Sequence, residues 1–170
     1  MAVMSQPAVE ERAEVFEDFF HAHHERLLRA MYLATGDRHE AEDLAQEAFV
    51  RVLERWERVR EMKDALGYVY RTALNLRRSR LRRLAVAARK AMRPEPQTDE
   101  QEAAEDRSAV HRALARLPAG QREAVVLVEW LGMTDERAGA ALGVSAGAVR
   151  TRLHRARSTL RDLLRGEIDA

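Results

Sequence analysis

Three groups of side chains in this 170-residue sequence are of types that could do chemistry. The first is His21, His23 and His24 beside Asp18 and Glu25. Asp18 and His21 stand three apart, so a helix would put a carboxylate and an imidazole on one face, as in carboxylate-bridged metal bundles. Such a bundle needs matching ligands on other helices, and none appears: His39 falls beside a helix start, and His111 and His154 belong to a later part of the chain. The expectation is exposed or partner-facing histidines, no metal and no cofactor. The second group, Glu40, Glu42 and Asp43 with Gln46 and Glu47, could serve general acid–base chemistry. It sits at a helix start, where acids are favoured electrostatically in any case, and neither a G-x-S-x-G nor a phosphate-loop glycine pattern accompanies it. The chain is expected not to be an enzyme. The third group consists of two donor rows: Arg71, Asn75, Arg78 and Arg82, and then Arg150, Thr151, Arg152 and Arg155 shortly after Ser145. Guanidinium and amide donors in a row bond phosphates and base edges.

Helices must position all three. Glu11 to Thr35 is amphipathic and closes at Gly36 and Asp37. Asp37 and Glu40 have capping-box spacing, and Ala41, Leu44, Ala45, Ala48, Phe49, Val52, Leu53 and Trp56 then form one apolar stripe. A third helix runs from about Asp64 into the late eighties. At about 100° per residue it groups Leu66, Val69, Ala73, Leu76 and Leu84 on one side, with the first donor row on the other. Further on, one helix leads to Leu117 and Pro118, and another runs from Ala119 to Leu131, before Gly132. Thr134 caps a short helix, Gly143 to Ser145 make a three-residue turn, and Ser145 caps a last helix with Val149, Leu153, Ala156, Leu160 and Leu163 in register. Short helix, glycine turn and basic helix read as a helix-turn-helix, with the second donor row outside its apolar stripe.

Composition agrees with an all-α chain: aromatics are 5% and there are only 8 Gly and 4 Pro. The absence of cysteine excludes disulfides and thiolate zinc sites. No basic leader and no long apolar run occurs, which predicts a cytoplasmic protein without membrane insertion. Net charge is only +1, but it is segregated: residues 1–93 carry +3, 94–106 carry −6 and 107–170 carry +4. The expected organisation is two small helical domains, residues 10–93 and 107–166, joined by a flexible acidic linker at 94–106. Arg71 to Arg93 holds nine Lys or Arg and no acid, and Val144 to Arg161 five Arg and no acid. Two such blocks in one chain point to a polyanion.

With these residues in place, the chain resembles a bacterial RNA polymerase sigma factor of the extracytoplasmic-function type. Gly36 to Trp56 is similar to the family's core-polymerase-binding helix, whose A-E-D-x-x-Q-x-x-F is matched by Ala41, Glu42, Asp43, Gln46 and Phe49. Leu66 to Arg83 resembles the helices that open and read the minus-ten promoter element, with Asn75 and Arg82 on the family's Asn and Arg positions and Ser79 where many members have Asp. LPAGQREAVVL and GVSAGAVRTRLHRAR resemble the minus-thirty-five-reading domain, with Ala148 and Thr151 departing from its pattern. Arg137-Ala138-Gly139 stands where Glu-Ile-Ala is common; a helical glycine costs about 1 kcal/mol against alanine, which predicts a looser or unusually close-packed helix.

The resemblance implies a minimal two-domain sigma, without the further domains of larger members. Core polymerase would be bound by Glu42, Asp43, Gln46 and Phe49, with Phe49 partly in the module's own core. Arg71, Asn75, Arg78 and Arg82 would face the minus-ten element, and Ser145, Arg150, Thr151, Arg152 and Arg155 the minus-thirty-five element. Its partners would be core RNA polymerase, promoter DNA and an anti-sigma protein, the last being usual in the family. The linker would run as an acidic strand inside the polymerase. In the free protein its prolines and repelling acids predict two loosely coupled modules. The alternative is a two-module helix-turn-helix regulator that does not replace sigma, which would need no core-binding helix. A helical adaptor would leave both arginine rows unexplained.

Overall fold

The computed structural model describes residues 6–90 and 109–168, all of whose regular elements are helical. The acidic segment expected as a linker lies outside the described residues. Four helices build the first module: α1 (Gln6–Thr35), α2 (Arg38–Glu54), the single turn α3 (Trp56–Val59) and α4 (Ala65–Lys90). Asp37 holds an extended backbone and accepts the Glu40 amide at 2.8 Å, so the expected cap starts α2. The apolar stripe is broken after Glu54, however: the Arg55 amide bonds back to the Val52 carbonyl, and the chain turns before Trp56.

Ala41, Leu44, Ala45, Ala48, Phe49 and Val52 are buried against α1, and Trp56 joins them at 2% exposure. Phe19 and Phe20 close over this seam, with Phe20 edge-on to Phe49 at 4.9 Å and Phe16 edge-on to Trp56 at 5.3 Å. Burying one such large side chain is worth about 1.5–3 kcal/mol. Two members of the expected stripes lie outside the core. Leu53 is 42% exposed because the chain turns just beyond it, and Leu84 is 60% exposed because, among the described residues, no element covers the last turns of α4.

The second module comprises α5 (Ala109–Ala115), α6 (Ala119–Val125), α7 (Asp135–Leu142) and α8 (Ala146–Ile168). The helix expected to run unbroken to Leu131 widens into a π-helical turn at Val126–Trp130, where the Leu131 amide reaches back five residues to the Val126 carbonyl. Thr134 accepts the Arg137 amide to start α7, and Ser145 accepts the Ala148 amide to start α8. Between them Gly143 takes φ 69°, a left-handed conformation that costs glycine nothing. Gly139 is where α7 and the turn approach most closely: an added Cβ would sit 2.7 Å from the Val144 carbonyl oxygen. Of the two readings of that glycine, close packing is the one observed.

The modules are not loosely coupled. One buried apolar cluster runs from Leu27, Leu44, Phe49 and Tyr70 in the first to Leu127, Met133, Leu142 and Leu153 in the second. Polar contacts reinforce it: Arg26 donates to the Leu131 carbonyl at 2.9 Å, Arg122 to the Ala34 carbonyl at 3.1 Å, and Arg137 makes a two-pronged pair with Asp64 at 2.8 and 3.0 Å. Repulsion among the acids of residues 94–106 bears on that segment and not on the complementarity of the module faces, which is why the expected loose coupling is not observed.

Candidate nucleic-acid and polymerase interfaces

The acidic face of α2 projects from the helix whose opposite side forms the core. Glu42, Asp43 and Gln46 are exposed, one turn apart or adjacent, whereas Phe49 is 3% exposed and belongs to the core. Arg38 donates to Glu42 at 2.9 Å, and Arg80 of α4 reaches Glu47 at 2.9 Å and Asp43 at 3.7 Å. Beside the acids lies a shallow depression of about 400 Å³ bounded by Phe20, Glu42, Gln46, Phe49, Val50 and Leu53. Val50 is 50% exposed. An acid–amide rim next to apolar side chains is a protein-docking chemistry rather than a catalytic one. Sequence reasoning placed Leu53 in the core and did not single out Val50. Their signal was the apolar side chains flanking the acid row on the same helix.

The donor row on α4 is divided by the second module. Arg71, Asn75 and Arg82 are exposed, and Arg82 with Ser79, Arg83 and Val86 borders a shallow basic depression. Arg78 is half-buried: it donates to Glu123 at 3.3 Å and to the Asn75 side-chain oxygen at 3.5 Å. Arg77 donates to the other Glu123 oxygen at 2.8 Å, and both partners are buried. Glu123 was not anticipated from the sequence, where it is the single acid of a short helix and nothing nearby in the chain marks its partners.

On α8, Arg150, Thr151 and Arg155 are exposed at the helix start, while Val149, Leu153 and Ala156 are buried beneath them. Arg150 reaches back to Asp135 at 3.5 Å. The Thr151 hydroxyl donates to the Gly147 carbonyl, and the Ser145 hydroxyl is engaged by the helix cap. Arg152 is half-buried, its guanidinium lying where a Cβ on residue 120 would come within 3.3 Å. The structure therefore groups Arg150, Thr151 and Arg155 on the open face of a helix-turn-helix and turns Arg152 towards its own module.

Electrostatics follow these contacts. The Arg137 guanidinium holds the Asp64 carboxyl below its ordinary range, against some desolvation, and the Asp64 charge raises Arg137 in return. Burial, and then the neighbouring Arg77, lower Arg122. His23, whose ring meets Phe19 at 4.7 Å, is lowered by burial first and Arg26 second. His21 lies 3.5 Å from Glu17 rather than against Asp18. Among the described residues no three His, Asp or Glu are placed to hold a metal, and no helix is long and apolar enough to cross a membrane. A groove of about 840 Å³ between α1, α5, α6 and α8 is lined chiefly by Leu33, Val110, Leu114, Val125, Trp130 and Leu160 and carries neither donor row.

Residues 19–86 match the family described as Sigma-70 region 2, and residues 107–160 the one described as Sigma-70, region 4. The chain is 35% identical to the RNA polymerase sigma-E factor of Streptomyces coelicolor over 91% of its own length and 89% of the relative's. It is 32% identical to the RNA polymerase sigma factor CarQ of Myxococcus xanthus over 92% of each. Among solved structures, the complex of sigma factor RpoE with anti-sigma factor NepR from Bartonella quintana shares the fold, with a TM-score of 0.76 at 22% identity over 89% of this chain and 98% of that one. CnrH in complex with the cytosolic domain of CnrY gives 0.63 at 25% identity, covering 91% and 90%. With an acidic–apolar face on α2, basic rows on α4 and α8 and relatives such as the sigma-E factor matched at this identity over most of their length, the chain belongs to the extracytoplasmic-function group of the sigma-70 family and directs transcription initiation as a sigma factor.

Proposed function

We propose that the residue-level division of labour follows the three faces just described. The exposed Glu42, Asp43 and Gln46 dock on core polymerase, with Val50 and Leu53 supplying the apolar part of the contact and Phe49 supporting the helix from below. Arg71, Asn75, Arg78 and Arg82 face the minus-ten element. Arg150, Thr151 and Arg155 read the minus-thirty-five element, while Ser145 and Arg152 hold the recognition helix in place. The domains correspond to residues 10–93 and 107–166, with 94–106 as the connection between them.

One observation carries this reading: three chemically distinct surfaces, one acidic–apolar and two cationic, stand on helices whose opposite sides are buried. A regulator that does not replace sigma has no use for the first of them. The chain contributes specificity and no catalytic group, acts in the cytoplasm where the polymerase is, and is controlled by an anti-sigma protein; capture of this fold with such a protein in a solved complex supports the last point. Run-off transcription with purified core polymerase and a genomic DNA library tests the whole. Discrete transcript starts that share two upstream elements and depend on the added chain are expected; starts independent of it refute the reading.

A further inference from the structure

Ser79 stands where many members of the family have Asp, on a stretch of α4 from Arg71 to Lys90 that holds no acid. At about 100° per residue it falls inside the arc that carries Arg71, Asn75, Arg82 and Val86, so a hydroxyl joins the donor row. The cations around it differ in their commitments. Arg77 and Arg78 are paired with Glu123, and Arg80 with Glu47 and Asp43. Beyond them, Ser79, Arg82, Arg83, Val86 and Ala87 line a shallow depression of about 370 Å³. Among the described residues neither of those guanidiniums has an acid partner, and the Ser79 hydroxyl makes no hydrogen bond. Arg82 and Arg83 stand three and four residues on from Ser79, the spacing at which a carboxylate would pair with both. Serine leaves them free, and its half-buried hydroxyl lies beside two exposed guanidiniums and the half-exposed Val86.

We propose that Ser79 is a specificity-determining residue of the minus-ten row: with Arg82 and Arg83 it forms a donor-lined reading site that takes a base presenting a carbonyl oxygen, guanine or thymine, in preference to one presenting an exocyclic amine, cytosine or adenine. This rests on the assignment of α4 as the helix facing the minus-ten element. Guanidinium groups only donate, and they match the acceptor edge of guanine, while Val86 offers the apolar contact that suits the thymine methyl. The serine hydroxyl donates as readily as it accepts, so it does not oppose that choice. A carboxylate at position 79 opposes it twice, by accepting from an amine itself and by engaging the two guanidiniums in ion pairs.

The test uses holoenzyme reconstituted from core polymerase and the full chain, on a promoter recovered by run-off transcription. Each base of its minus-ten element is replaced in turn by the other three, on a duplex left unpaired across that element, and binding is read by anisotropy at fixed salt. The parent is expected to prefer guanine or thymine at one position by about five- to a hundredfold. Ser79→Asp moves the preference at that position to cytosine or adenine, and Arg82→Ala combined with Arg83→Ala abolishes it. If Ser79→Asp does not fold, Ser79→Asn, whose amide suits adenine, carries the same test. A preference unmoved by the substitution at 79, even where binding weakens at all bases alike, overturns the proposal and leaves the assignment of α4 standing. So does a parent preference for cytosine or adenine at the position that moves. A parent without base preference anywhere in the minus-ten element, whose starts still depend on the upstream element, overturns the assignment of α4 and the proposal with it.

Discussion

Gly139→Ala is the substitution on which two physical effects disagree in sign. Helix propensity alone predicts stabilisation by about 1 kcal/mol, since α7 would exchange its least favourable interior residue for its most favourable. The geometry predicts the reverse. A Cβ at 139 would lie 2.7 Å from the Val144 carbonyl oxygen, 3.3 Å from the Ala146 nitrogen and 3.4 Å from the Ser145 carbonyl carbon. All three are backbone atoms, and that backbone is held by the Val144 amide on the Gly139 carbonyl at 3.0 Å and by the Ser145 cap on α8. A rotamer change therefore cannot relieve the contact; α7 and α8 must separate. Overpacking of this kind costs about 1–3 kcal/mol, which outweighs the propensity gain and leaves a net loss of about 1 kcal/mol. In a chain of this length that lowers the midpoint of thermal unfolding by about 2–4 °C. Because the α7–α8 angle aims the recognition helix, affinity for the upstream element should fall as well. Circular dichroism melting and a duplex-binding titration measure both. A variant with a raised midpoint and wild-type affinity would refute the close-approach argument.

Further outcomes follow from the same geometry. Asp43→Arg on the exposed side of α2 should abolish co-purification with core polymerase while leaving the thermal midpoint nearly unchanged; wild-type holoenzyme assembly would remove that face from the interface. Arg155→Ala should flatten the dependence of duplex affinity on salt by about one unit if the side chain meets a phosphate, or cost about 1–3 kcal/mol at one base pair if it reads a base. Tyr70→Phe removes a hydroxyl that is buried without a hydrogen-bond partner and whose pKa burial pushes up to about 12; stability measured by urea unfolding should hold or rise by up to about 1 kcal/mol, and a large loss would mean the hydroxyl is satisfied. The Asp64 carboxyl is held below its ordinary 3.8 by Arg137, so its contribution is present above that pH and fades as the pH falls through the lower folded value. The pair is partly exposed, so Asp64→Asn should cost only about 0.2–1 kcal/mol at neutral pH, and the difference from the parent should vanish in acid. A difference that persists in strong acid would assign the effect to something other than the charge.

Features that depend on neighbours a few residues apart are legible in the sequence alone. Asp37, Thr134 and Ser145 start helices by accepting an amide three residues on, and such bonds are legible because both partners lie within one turn. The apolar faces of α2 and α8 were legible for the same reason, as were the family motifs along α2 and α8. The ends of those faces were not. Periodicity says which side of a helix is apolar, but whether Leu53 or Leu84 is covered depends on where another element stops. Arg137, a departure from the usual pattern, has its partner in Asp64, 73 residues away, which no local pattern could indicate. Arg78 is the sharpest case: an arginine on a helix reads the same in sequence whether it will meet DNA or Glu123. Its contact with Glu123 comes from the packing of the two modules, because the partners are 45 residues apart in the chain and the pairing rests on how two separately formed faces fit.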